Sequence, residues 1–183
     1  MSMILKTFLL ISILLVYSKA ESNLNESRIN QTLLSYINNI RTTGASCGAA
    51  TKPLRWNSSL QEAAKAHARD IGINNFVGHM GSGTLYDDVG RALGKPSTFI
   101  DRIKYFGFPF PPKVLIGEII SKVTMKYKSK NNLMISFNRA IKNWLKDPPH
   151  CRLIMNKRFT DGAIAYYKRN EEYFFIINLG EVK

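Results

Sequence analysis

Two apolar rhythms divide the chain. From Ser27 to Thr43, Ile29, Leu33, Ile37 and Ile40 recur at helical spacing with Leu34 and Tyr36 beside them, and Gly44 follows as a helix stop. Pro53 to Trp56 reads as extended. A second helix runs from Asn57-Ser58-Ser59 to about Asn74, with Ser58 and Gln61 in capping-box form. Leu60, Ala63, Ala64, His67, Ala68 and Ile71 share its inner face, and the alanines imply close packing. His67 on that face reads as a hydrogen-bonded core residue rather than a ligand. A loop with glycines on both sides of His79 comes next, where side chains are displayed. Ser97 or Thr98 caps a short helix bearing Phe99, Ile103 and Phe106, which Gly107 stops.

The second half changes rhythm. Phe108-Pro109-Phe110-Pro111-Pro112 is a stiff irregular loop, either one wall of a groove or a surface loop covered by its own aromatics. Val114 to Met125 is strand-like, with an interruption expected at Gly117-Glu118. Asn132 to Lys146 is helical, with Leu133, Phe137, Ile141, Trp144 and Leu145 inward. Pro148 and Pro149 should then turn the chain sharply, leaving His150 and Cys151 on the turn. Gly162–Lys168 and Tyr173–Leu179 are two strands joined as a hairpin across Arg169 to Glu172. No repeat or linker divides the chain. This order of elements gives an α+β fold, a layered domain with a mainly antiparallel sheet.

Composition adds compartment and charge. Residues 1–20 have the form of an export leader: Lys6, an apolar run from Thr7 to Tyr17 too short to span a bilayer, and Ser18-Lys19-Ala20 before cleavage. An uncleaved anchor is the alternative. Residues 21–31 are then a polar lead-in and 32–180 the domain, with no later membrane span. Lys and Arg number 26 against 13 Asp and Glu, and only Lys6 and Lys19 lie in the leader. Such a surface attracts anionic partners, or simply keeps the chain soluble. The basic residues are scattered except from Lys122 to Lys130, and no nucleic-acid motif accompanies them. Two cysteines in an exported chain pair as a rule; free thiols are disfavoured there. A Cys47–Cys151 link would close a long loop worth roughly 4–5 kcal/mol in the chain-entropy picture. Asn25, Asn30 and Asn57 open Asn-X-Ser/Thr triplets, which matter only in a eukaryotic secretory pathway.

Four segments in order resemble the CAP superfamily, the SCP-domain group of cysteine-rich secretory and pathogenesis-related proteins, and most of all its bacterial exported members. They are Leu54-Arg55-Trp56-Asn57 with Leu60 and Ala63 to Ala68; His79-Met80-Gly81-Ser82; Gly117-Glu118-Ile119-Ile120; and Trp144 followed by His150-Cys151 and Ile154-Met155-Asn156. The resemblance covers about residues 32–180. It implies a three-layer α-β-α sandwich with an open cleft lined by His79, Glu118 and His150, with Asp147 as a second acid. It also fits a Cys47–Cys151 disulfide and implies a divalent metal such as zinc on the two histidines and Glu118. Ile119 stands where the family pattern has asparagine, and the serine before the second histidine is absent.

Two neutral imidazoles and a carboxylate suit zinc and leave room for an activated water. Residues 79, 118 and 150 are far apart in sequence, however, and no short zinc signature is present. Ser82 lies three residues from His79, but no orienting acid or oxyanion hole is evident for a serine hydrolase. Cys151 reads as structural, not as a nucleophile. The expectation is an exported protein that binds a cell-envelope or extracellular ligand, anionic in character, through a His/Glu cleft without turnover. A metal-assisted hydrolase acting on peptide or cell-wall material is the alternative. A module for lipid or anionic polymer, using the Phe108–Pro112 loop, is the third.

Overall fold

A computed structural model describes the backbone of residues 2–127 and 129–182; the side chains of 2–20, 22 and 23 lie outside the description. The leader expectation falls on those side chains, and Lys128 of the basic run is likewise not described. Among the described residues, six helices surround a four-stranded sheet: α1 (Ser2–Thr43), α2 (Ser58–Asn74), α3 (Asp88–Leu93), α4 (Phe99–Tyr105), α5 (Asn132–Lys146) and α6 (Pro148–Met155). The strands are β1 (Arg55–Trp56), β2 (Ile116–Thr124), β3 (Asp161–Arg169) and β4 (Glu172–Gly180), in the order β1-β3-β4-β2. β1 pairs with β3 in parallel and the other two pairings are antiparallel, so the sheet is mixed but mainly antiparallel.

Alternation along β4 explains the layers. Phe175, Ile177 and Leu179 point to one face and join Leu33 and Ile37 of α1 and Phe137 and Trp144 of α5. Phe174 and Ile176 point the other way, onto Ala64, Ala68 and Ile71 of α2. Both faces are covered, giving the α-β-α sandwich. Close packing of α2 is visible at Gly72, where a Cβ would come within 2.2 Å of the Tyr167 ring.

Three local expectations need correction. Strand β2 is not interrupted: Gly117 pairs with Leu179 and Glu118 with Asn178 in unbroken register. A buried acid is tolerated in mid-strand because a cation meets it, as described below. The cap of α2 is Asn57, whose side chain accepts from the Leu60 amide, so Ser58 is already helical. The prolines begin a helix rather than making a turn: Asp147 caps α6, and Pro148 and Pro149 occupy its first positions, where missing amide hydrogens cost nothing. Helix α3 was not expected, and α1 already runs through the polar lead-in. Thr98 caps α4 in a full capping box with Asp101.

Cys47 and Cys151 form a disulfide that spans 104 residues and ties the loop after α1 to α6. A second tie lies beside it. The buried Arg41 guanidinium donates to the carbonyls of Ile154, Asn156 and Phe159, and its Nε donates to that of Lys52. The end of α6 is therefore held both covalently and by charge-assisted hydrogen bonds.

Candidate functional site

Glu118 leaves β2 toward the α2 and α4 layer and is buried. His79 comes from the loop after α2, and its Nδ1 lies 2.9 Å from Glu118 Oε1. The 79–118 juxtaposition expected from sequence is thus present. A carboxylate accepting at Nδ1 selects, in the neutral ring, the tautomer with its proton there and the lone pair on Nε2. The ring is 54% exposed and sits edge-on to Phe99 at 6.5 Å.

Arg102 on α4 completes the core of the site. Its guanidinium donates to both Glu118 oxygens at 3.0 and 3.1 Å, to the His79 carbonyl at 2.9 Å, and to the Ser97 carbonyl and hydroxyl. Burial alone would push the Glu118 carboxyl up. The His79 hydrogen bond and the Arg102 charge outweigh it and hold the group below its ordinary value, so Glu118 is a carboxylate. His67 is buried as expected. Its Nε2 lies 2.8 Å from the Gly78 carbonyl and so donates there, which fixes the residue preceding His79. Burial holds its pKa down despite the nearby Glu118 charge, so it stays neutral; its Nδ1 finds no partner among the described residues.

Two aspartates shape the loop that carries His79. Asp70 accepts from the Ser82 amide and hydroxyl and from Asn74. Asp87 accepts from the amides of Gly83, Gly90 and Ser97 and from the Ser97 hydroxyl. Burial raises the Asp87 carboxyl, but these four donors more than reverse it. Gly81 is required by this packing, since a Cβ there would lie 2.1 Å from Asp87 Oδ2. Ser82 is therefore committed to Asp70, which removes it from any pairing with His79.

His150 has a different partner. Its Nδ1 lies 2.5 Å from Asp147 Oδ2, three residues back on the same helix start. Its side chain is 34% exposed and that of Asp147 47%. No ion pair or hydrogen bond joins it to His79 or Glu118 among the described residues. Glu118 already accepts from His79 and Arg102, and no three His, Cys, Asp or Glu side chains among the described residues are grouped to hold a metal ion. A divalent metal taking Glu118 as a direct ligand does not fit this donor set.

Arg102, Asp70 and Asp87 were not anticipated as site residues. One signal for Arg102 was available: it lies on the same α4 face as Phe99, Ile103 and Phe106, so an inward cation was written into the spacing. The two aspartates gave no comparable sign.

The matching family is described as the cysteine-rich secretory protein family, CAP, over residues 34–179. No curated protein sequence matches the chain. Among solved structures, the chain is similar to an extracellular SCP-domain protein from Bacillus anthracis. The TM-score is 0.58 at 20% identity, over 86% of this chain and 41% of that one. It is similar to an outer surface protein from Borrelia burgdorferi, with TM-score 0.54 at 21% identity over 84% and 92%. It also resembles venom allergen-like protein 4 from Schistosoma mansoni, with TM-score 0.50 at 13% identity over 83% and 87%. At such identities the likeness is one of fold. With the family match spanning most of its length, the chain belongs to the cysteine-rich secretory protein (CAP) family.

Proposed function

We propose that the protein is exported and binds a component of the cell envelope or its surroundings through the cleft at His79, without turning it over. The single observation that supports this reading is the His79–Glu118–Arg102 arrangement. A buried, cation-backed carboxylate orients a half-exposed imidazole, whose second ring nitrogen is left to hydrogen-bond a ligand hydroxyl, amide or acid. Glu118 and Arg102 act as positioning residues; His79 makes the contact. Export is supported by the leader-like start, by the disulfide, and by the extracellular or outer-surface description of two structural relatives.

Co-sedimentation with isolated cell envelope freed of phospholipid tests this. The wild type should pellet with envelope, and His79→Ala should weaken that association by about tenfold, the loss of one oriented hydrogen bond to a charge-backed group. Unchanged association of the folded variant removes the reading. Hydrolysis of peptide or wall material that depends on added zinc and disappears in His79→Ala and His150→Ala would instead establish the metal-assisted hydrolase.

A further inference from the structure

On their solvent side, α3, α4 and the loops around them display large apolar side chains interleaved with cations. Leu85 is 62% exposed, Tyr105 56% and Phe110 38%; Leu93 and Ile100 are also exposed. Neighbouring contacts join Leu85, Lys95, Ile100, Lys104 and Phe110 into one strip. Leu85 lines a hollow of about 520 Å³ together with Arg91, Gly94 and Lys95. Lys95 reaches across to Asp101 at 3.6 Å, in the first turn of α4. Ile100 and Lys104 stand four residues apart on that helix and so share a face. Lys104 Nζ then lies 4.3 Å over the Phe110 ring. Arg91, Lys95, Lys104 and Lys113 are exposed here, while the neighbouring acids Asp88 and Asp101 are half-buried.

We propose that this strip docks the protein on an anionic phospholipid surface, with Leu85 and Phe110 entering the headgroup layer and the lysines facing phosphate. Charge complementarity selects an anionic partner, and the apolar side chains select lipid over a purely polar polyanion. A polyanion would offer Leu85, Ile100 and Phe110 nothing to bury against. The loop itself supports this division of labour. Phe108 is buried against Gly180, where a Cβ would lie 2.2 Å from its ring, and it anchors the segment that leaves Phe110 outside. Lysine stems can lie along apolar surface while their ammonium groups reach the phosphates.

The test is vesicle flotation of the exported form of the protein. Vesicles of equal phosphatidylglycerol and phosphatidylcholine are compared with phosphatidylcholine alone. Binding is expected to the anionic vesicles, weakened but not abolished by salt. In the double variant Leu85→Ser with Phe110→Ser it should fall by at least about tenfold. Ile135→Ser, an exposed apolar residue on α5 in the opposite layer, should bind as wild type. Absence of binding to anionic vesicles overturns the proposal. So does equal binding by the double variant with an unchanged circular dichroism spectrum, or full displacement by soluble polyglutamate.

Discussion

Two histidines in this protein each lean on a carboxylate through Nδ1, and the two pairs are built in opposite ways. His79 meets Glu118 across 39 residues of sequence, on a strand in the middle of the fold, and its carboxylate is buried and backed by Arg102. His150 meets Asp147 within one helix start, and both side chains are partly exposed. The first pair exists only if the sheet, α2 and α4 are all in place. The second needs little more than the first turn of α6. A histidine held by tertiary structure has a fixed direction and a dry neighbour, which suits recognition. One held by a local, solvated acid is screened and contributes little.

The largest expected effect follows from breaking the buried pair. Glu118→Ala leaves the Arg102 guanidinium buried against a void, which should cost about 3–5 kcal/mol in urea denaturation. Replacing both partners, Glu118→Leu with Arg102→Met, should cost clearly less than the sum of the two single changes, because no charge is stranded. If the double variant is simply additive, the two side chains are not coupled and the site is not built as described.

Next in size is the covalent support of the His150 side. Cys47→Ser opens the link to α6 and should lower stability by about 2–4 kcal/mol. Hydrogen exchange should speed up along the start of α6 but less at Ile154 to Asn156, whose carbonyls Arg41 still holds. The His79 loop should keep its protection, since its hydrogen bonds among the described residues run to α2, β2, α4 and the residues that lead into α3 and α4 rather than to α6.

Acid should separate the two pairs further. Glu118, Asp87 and Asp101 all have folded-state pKa values held down, so each contributes stability present above its unfolded pKa and lost as pH falls through the folded one. His67 adds to this in the same direction. Its pKa is lowered by burial, so below its ordinary value near 6.5 the unfolded chain takes a proton that the folded chain refuses. Stability should therefore fall steadily from about pH 6.5 downward, by no more than about 1.4 kcal/mol per pH unit for each group. His67→Phe should flatten only the upper part of that slope. A midpoint urea concentration that stays constant between pH 7 and pH 4 would contradict this account.

What the sequence disclosed tracks how local each feature is. Helical spacing located α2, α4 and α5 because an apolar stripe is written every three to four residues. The hairpin of β3 and β4 was legible because two runs rich in strand formers flank a short polar turn. The His79–Glu118 contact was reachable only through the family resemblance, since nothing in either segment encodes the other. Glu118 was misread as a strand break because a charged residue in a strand is normally an edge or an end. Only the inward Arg102 makes its burial reasonable. Pro148 and Pro149 misled in a related way: proline ends one helix and is equally suited to start the next, and Asp147 as cap decides between the two. Arg41 carries no signal in the sequence, because a lone arginine at a helix end is ordinarily solvated and the carbonyls of Ile154, Asn156 and Phe159 that it serves lie more than a hundred residues away.

The smallest predicted effect lies at that cap. Asp147 holds the start of α6 by accepting from the His150 amide as well as lying against the His150 ring. Asp147→Ala removes both, and should cost about 1 kcal/mol, the ordinary worth of a helix cap, with the exposed pair adding a few tenths at most. Asp147→Asn separates the two contributions: it keeps an acceptor for the amide but discards the charge beside the ring. Near-wild-type stability in Asp147→Asn, with a loss in Asp147→Ala, identifies the cap as the function of this acid. A large loss in Asp147→Asn would mean that the His150 pair is held as firmly as the buried one, and the contrast between the two histidines would fail.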